Sequence, residues 1–558
     1  MRWLMKSLVS LILIVILFII VIYAFVQTQW GAQKTSEWLT QYSDYDVRFS
    51  GIEHNFTQPE QVTIHELSIN QKQNKTTLVA NSAQLKFNWQ SFLFPTHLQK
   101  ITLENGKIVI TDKIAALPIS ADILQFKNMT LQSAQSDITF SAEKITGGIT
   151  PWQPTAENSF GSGHFQFSIA NGHINDNLFN HFIISGEYQP NHIQIDKLGT
   201  QLLNGSLSFN GQYQNNRWTL NDVYMNGIRW QSTKTLSELI QSMKQTPAIN
   251  INSLNIVDLT AEGKQWAISG FDGQFSQLEW DKTFSVSRGE LNADDIVIND
   301  NHMTDLIAKL DQQNDHLNVD NLSLRYEKGI IKLSGYWNKA DKTLAIKNAT
   351  LSGILYTLPK NWLSFFAEPI DKSSNIENIN IEKLSISQSI LIDISPDFPF
   401  QFTGLAANIQ NLMVAKNGEW GLWQGTATFN ADSGTLNRIE LRRPDLTIET
   451  QQDKAIAKSF SAFVDSGLIQ GAAVLDQANN QRHFSLIANG LNVPLSVPNS
   501  LGWRTPSLTE NGKFTLKIKG ELRANPISST LNGSLCAQQE GQILIDETMS
   551  QGEITDNL

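Results

Sequence analysis

The residues of this chain that could do chemistry do not stand at catalytic spacings. Ten histidines are present, at positions 54, 65, 97, 164, 173, 181, 192, 302, 316 and 483. None forms an HExxH motif or a His pair with a matching carboxylate at helical spacing, the arrangement that holds zinc and aims a general base. Asp294-Asp295 with Asp300 and His302 comes nearest to a metal cluster, but it falls in a polar stretch between strand patterns and reads as a solvated turn. Gly161-Ser162-Gly163 has no Lys-Ser/Thr after it to take a phosphate, and no GxSxG nucleophile elbow occurs. The single cysteine, Cys536, excludes an internal disulfide and a thiolate cage for zinc or iron–sulfur, and reads as a small apolar residue on a strand. The chain is therefore read as non-enzymatic, with no metal and no cofactor. A hydrolase on a β-sandwich is the enzyme alternative, and a cleft of convergent groups with perturbed pKa would mark it.

The physical interest lies in the apolar residues. The chain has 558 residues, 41% hydrophobic and 17% charged, enough to build a core and more than one ordinary domain of about 150 residues. Its net charge of −11, with no basic run beyond pairs such as Arg442-Arg443, argues against nucleic acid as a partner.

Leu11 to Val26 is an unbroken apolar run, and with Leu8 and Val9 across Ser10 the stretch is 19 residues. At 1.5 Å per residue it nearly crosses a hydrocarbon core of about 30 Å. The apolar region of a signal peptide is shorter and ends in a small-x-small cleavage site, which Gln27-Thr28-Gln29-Trp30 does not offer. The run predicts an uncleaved anchor, residues 1–27, carried by Leu8, Leu11, Ile14, Leu17, Phe18, Val21 and Phe25, with Trp30 at the interface. Arg2 and Lys6 precede it, whereas Glu37, Asp44 and Asp46 join Lys34 after it. The positive flank stays in the cytoplasm, so residues 28–558 are expected outside it. Ala32–Tyr42 reads as a short helix, and Tyr45–Phe49 alternates as a strand does.

Beyond residue 45 the dominant period is two. Phe165, Phe167 and Ile169 share one face; Phe514, Leu516 and Ile518 share another, opposite Lys513, Thr515, Lys517 and Lys519. Such alternation predicts antiparallel strands with one apolar and one wet face. Asn-Gly recurs, for example at Asn105-Gly106, Asn171-Gly172, Asn204-Gly205, Asn417-Gly418 and Asn489-Gly490, and predicts tight hairpin turns. The spacing Ile64/Leu67/Ile69, repeated at Leu98/Ile101/Leu103, Ile251/Leu254/Ile256 and Ile381/Leu384/Ile386, suggests a bulge entering each strand. His192–Leu198 aligns without gaps on His316–Leu322, an offset of 124 that holds through Gly205/Gly329 and Gly211/Gly335. Each copy, about 192–280 and 316–412, runs through a helix candidate, Leu236–Lys244 or Trp362–Ala367. Repetition of this kind implies an elongated architecture of stacked units.

One-sided strands need a cover. With few helices available, the sheet must fold as a sandwich, close as a barrel, or curl into a groove that lipid tails could fill. The expected fold is mainly β: a transmembrane helix, then an elongated, curled antiparallel sheet groove of repeated units with a few short helices. Its lining would come from Phe165, Phe167, Ile169, Leu207, Phe209, Ile331, Leu333, Phe514, Leu516 and Ile518. A sandwich core and a groove share the same period, so a scaffold or assembly factor that binds proteins by strand addition is the competing reading.

The anchor Leu8–Val26, the helix leading to Tyr45–Phe49, the segment Leu78–Phe87, the elements Ser91–Phe94 and Leu98–Leu103, glycine-ended strands such as Gly205–Gly211, and the Gly512–Leu522 region together resemble the AsmA family of Gram-negative bacteria, most closely its shorter, YicH-like members. The resemblance is one of layout over the whole chain. It implies a single-pass protein of the bacterial inner membrane, N-terminus cytoplasmic and bulk periplasmic, built from β-groove units. Such a protein would carry phospholipid acyl chains toward the outer membrane, with the bilayer and envelope proteins as its partners. The alternative role it leaves is that of a non-enzymatic scaffold for outer-membrane biogenesis acting through protein partners.

Overall fold

The structure is a computed structural model that describes residues 2–72, 77–88, 91, 96–110, 119–135, 138–155, 161–175, 177–244, 246–299, 301–360, 362, 369–370, 375–396, 398–478, 481–503, 508 and 510–557. It is mainly β, with 33 strands among the described residues. Contacts divide the chain into two compact units: residues 1–264 with 272–285, and residues 265–271 with 286–558.

The first unit opens on helix α1, Arg2–Val26. The side chains described on it begin at Ile12, and Ile14, Leu17, Phe18 and Val21 are all more than half exposed. Leu8 and Leu11 lie on the same helix, with side chains outside the described set. Helix α2, Gln29–Gln41, follows; it begins earlier than Ala32 because the Thr28 hydroxyl caps it, accepting from the Gly31 N–H at 3.1 Å. Among the described residues no single helix is long and apolar enough to cross a membrane; Ile12–Val26 and Gln29–Gln41, bent by 87°, reach the length and composition as a pair.

The sheet of this unit starts with Tyr45–Arg48 and Gly51–His54, both antiparallel to Gln61–Gln71. Antiparallel steps continue through Thr77–Lys86 to His97–Ile110. They run again from Ser120–Gln135 through to Arg217–Asn226. The second unit is antiparallel from Phe284–Ile298 to Thr343–Ser352 and from Asn378–Asp393 to Glu553–Asp556.

The expected all-antiparallel sheet is corrected at three steps. His97–Ile110 is parallel to Ser120–Gln135. Arg217–Asn226 and Arg229–Gln231 are parallel to Ala248–Gly263. Thr343–Ser352 and Leu355–Thr357 are parallel to Asn378–Asp393. Parallel neighbours require a crossover rather than a tight turn. The second crossover carries helix α3, Leu236–Met243, where a helix candidate interrupts the strand pattern. In the third, the candidate Trp362–Ala367 lies outside the described residues except for Trp362; Ser91–Phe94 likewise lies outside except for Ser91.

Helix α3 owes its start to a reciprocal cap. The Glu238 N–H donates to the Thr235 hydroxyl at 3.3 Å, and the Thr235 N–H donates to the Glu238 carboxylate at 2.7 Å. The Thr235 N–H and hydroxyl, both donating to it, hold the Glu238 carboxyl below its usual pKa. Thr235→Ala is expected to speed amide exchange of residues 236–243 about fivefold, the factor for a lost N-cap, measured by hydrogen–deuterium exchange.

The two copies of the repeat share local geometry. The ladder shifts register between Ile195 and Leu198 in one and between Val319 and Leu322 in the other. In the first copy, Gly227 turns with φ +65° against the Cα of Gly205, and Ile228 is buried behind it. In the second, Gly353 turns with φ +67° against the Cα of Gly329, and Ile354 is buried. The close approach leaves no room for a Cβ at Gly205 or Gly329, and the positive φ favours glycine at Gly227 and Gly353.

Asn-Gly proves a poor guide to turns here. Asn417-Gly418 does make a hairpin, with both residues at positive φ. Asn105-Gly106, Asn171-Gly172 and Asn489-Gly490 instead lie inside strands. Many hairpins use other left-handed pairs, such as Asn215-Asn216, Asn437-Arg438 and Gln452-Asp453. At Ile64/Leu67/Ile69, where a bulge is expected, Glu66 turns at φ +52° but the register with Thr77–Lys86 runs on unbroken. At Ile381/Leu384/Ile386 the register runs on unbroken.

Candidate functional site

The apolar face of the first unit's sheet does not close on itself. From Tyr45 and Val47 on the first strand and Phe49 just after it to Ile193, Ile195 and Trp218 much later, the same face lines one cavity of about 890 Å³. Successive strands contribute Ile64, Leu67 and Ile69, then Ile101 and Leu103, then Leu124 and Phe126. The period of two is what aims them: on Gly163–Ile174, Phe165, Phe167 and Ile169 point inward and the residues between them are exposed. The Phe126 and Phe167 rings stack at 5.9 Å and those of Phe165 and Phe167 at 6.4 Å, so the lining is partly paved with aromatic rings.

Polar groups gather at one end, where Leu39 and Ser43 come from α2 and the turn after it. Tyr45 is the cross-strand partner of Gln71. The Gln71 side-chain oxygen is buried in the lining and has no hydrogen-bond partner among the described residues. Burial, with Asp44 adding to it, pushes the Tyr45 phenol up, so it stays a neutral group at ordinary pH. The cavity thus has an apolar body and a small polar rim. That combination suits a molecule with a long apolar part and a polar end.

Among the residues singled out by the sequence, Phe165, Phe167 and Ile169 line this cavity. Leu207, Phe209, Ile331 and Leu333 are half-buried on their strands and do not line it. Phe514 and Leu516 are 2% and 1% exposed, in a closed core of the second unit with Trp503, Leu495, Val493 and Leu535; Ile518 packs against that core. There the Trp503 indole donates to the Glu547 carboxylate at 2.6 Å, sealing the cover. Sequence reasoning passed over the early lining residues Val47, Ile64, Leu67, Leu103, Phe126 and Trp152. The alternation in Gln61–Gln71 and His97–Ile110 was the available signal for most of them.

The imagined metal cluster is two facing strands rather than a turn. Asp294 and Asp295 lie on Phe284–Ile298, and the His302 ring bonds Asp295 from the neighbouring strand, both side chains exposed. Asp300 lies outside the described residues. Among the described residues no group of three His, Cys, Asp or Glu side chains is placed to hold a metal. In the second unit, Arg482 and Arg523 both reach Glu419, and Arg482 also lies over the Trp423 ring. Burial first, then the charge of Arg523, lowers the Arg482 pKa against the pull of Glu419.

No protein-family model matches the chain, and no solved structure matches it. Its sequence is 30% identical, over 562 aligned positions, to the AsmA family protein YicH of Escherichia coli (strain K12). The match spans 100% of this chain and 98% of that protein, so α1, the cavity and the C-terminal core are all included. With identity at that level over both full lengths, the chain belongs to the AsmA family.

Proposed function

We propose that this protein is held in the inner membrane by α1, N-terminus cytoplasmic, and that its periplasmic body carries phospholipid acyl chains as part of outer-membrane lipid supply. The observation that carries the reading is the cavity of about 890 Å³ lined by apolar side chains. An empty apolar void of that size would cost about 20 kcal/mol at ~24 cal/mol per Å³, more than the whole net stability of a typical domain at ~5–15 kcal/mol. Filling it with water instead leaves apolar surface wet at about 25 cal/mol per Å². An acyl chain removes both costs. The mechanism is passive and non-enzymatic: chains lie along the lining while the headgroup stays at the polar end by Ser43, Tyr45 and Gln71.

The exposed apolar surface of α1 supports the membrane side of the proposal, since lipid is the natural cover for residues 12–22, which are exposed all round the helix. The closed core around Phe514 and Leu516 favours a second role for the C-terminal part, as a rigid scaffold for envelope proteins.

Native mass spectrometry of the full chain, released from membranes and accompanied by lipid extraction, tests the reading. Phospholipid bound to the folded protein is expected. A stable, lipid-free chain would sink the carrier reading and leave the scaffold.

A further inference from the structure

Helix α2 leaves α1 at 87°, and Gly31 shows on which side. A Cβ at Gly31 would lie 1.9 Å from the Phe25 carbonyl oxygen and 3.1 Å from the Val26 Cα, so the Gly31 face of α2 is the one against which α1 ends. At about 100° per residue, Thr35, Trp38 and Tyr42 fall within about 40° of Gly31 around the helix, whereas Gln33 falls about 160° away and Glu37 about 120° away. Trp38 is 60% exposed and Tyr42 70% exposed, and their rings lie 5.6 Å apart. A third arc is turned into the protein: Ala32 and Ser36 are buried, and the Ser36 hydroxyl donates to the Val47 carbonyl at 2.6 Å. The helix therefore has a protein face, a polar face and an aromatic face, and the aromatic face looks along the direction in which α1 runs.

An indole and a phenol bared on the side of an exposed apolar helix match the headgroup–acyl boundary, where amphipathic rings are most stable. The geometry points to α2 as a helix that lies in the plane of the bilayer interface on Trp38 and Tyr42 and holds the mouth of the cavity at the depth where acyl chains begin. Leu39 is the threshold. It stands between the aromatic and protein-facing arcs, is 36% exposed, and lines the cavity together with Ser43. A lipid can pass over Leu39 without its chains crossing water, and the polar groups of Ser43, Tyr45 and Gln71 meet its headgroup end. This rests on the carrier reading, and adds to it where lipid is taken up and which residues set the depth.

The test uses the full chain with Cys536→Ser as background, reconstituted in vesicles of phosphatidylethanolamine and phosphatidylglycerol. Single cysteines introduced by Trp38→Cys, Tyr42→Cys, Glu37→Cys and Ile14→Cys carry a nitroxide, and electron paramagnetic resonance compares collisions with oxygen and with a water-soluble nickel chelate. All four sites are on the surface, so the labels do not disturb the core. Labels at 38 and 42 are expected to favour oxygen several-fold over the label at 37. Trp38→Ser with Tyr42→Ser is expected to slow lipid uptake from the vesicles by about tenfold. Nickel reaching 38 and 42 as freely as 37 overturns the seating of α2. If the wild-type chain still carries lipid by mass spectrometry in that case, the carrier reading survives alone. Shielded labels on a lipid-free chain overturn the carrier reading instead. A label at 14 that sits in water overturns both.

Discussion

Phe167→Glu is expected to empty the cavity of lipid while leaving the chain folded. Phe167 points into the cavity from Gly163–Ile174, half-buried, with its ring stacked on Phe126. Its cross-strand neighbour on one side is Gly147, so the ladder there does not depend on the ring. A carboxylate at this position draws water into the lining. An acyl chain could then bind only by stripping that water, at several kcal/mol for a poorly compensated charge. A loss of about 2.7 kcal/mol is already a hundredfold in affinity. Phospholipid per chain, counted by native mass spectrometry beside a thermal melt, should therefore fall to near zero with little change in the melt. Phe167→Ala is the control, since it enlarges the cavity without adding charge and should keep its lipid. Wild-type loading in the glutamate variant would show that this cavity is not where lipid sits.

Leu516→Glu is expected to do the opposite: to unfold its surroundings rather than to empty a site. Leu516 is 1% exposed and pairs across the sheet with Ala488 and Leu535, themselves buried. The core around Leu516 is built of apolar side chains such as Leu535, Ala488 and Val493, so a carboxylate there must either be buried neutral or force the core open. Phe514→Ala, which only removes a ring from the same core, should already cost about 3–5 kcal/mol. Lys517→Glu sits one residue away on the exposed face and should change stability by less than about 0.5 kcal/mol. Hydrogen–deuterium exchange over His483–Pro494 and Asn511–Glu521 reads all three. Protection retained in Leu516→Glu would mean that this face is an open lining after all.

The contrast between these two substitutions shows how far the sequence can be read. Phe167 and Leu516 sit in the same pattern: an apolar residue between polar ones, on a strand that begins near a glycine. The pattern is a property of the pleat and needs only neighbouring residues to be seen. Whether a second layer covers the apolar side depends on segments far along the chain. Over Leu516 and Phe514 the cover is Leu495, the short helix Val497–Ser500 and Trp503, tied down through Glu547. Among the described residues no such cover lies over Phe167, and Val47 and Trp218 line the same space. Asn-Gly was an uneven turn marker for a related reason: Asn105 puts its positive φ into a bend inside a long strand, whereas Asn417-Gly418 makes a turn between two.

By itself, then, the sequence determined the apolar N-terminal helix, the one-sided strands, their recurrence at an offset of 124 and the membership of a family, all of which rest on local composition and spacing. The tertiary structure decided the three parallel crossovers, the bend between Val26 and Gln29 that turns α2 across the end of α1, and the division of equivalent apolar faces into an open cavity and a sealed core. The physical reason is that burial is a relation between distant segments: alternation says which way a side chain points, and only the folded chain says what it meets there.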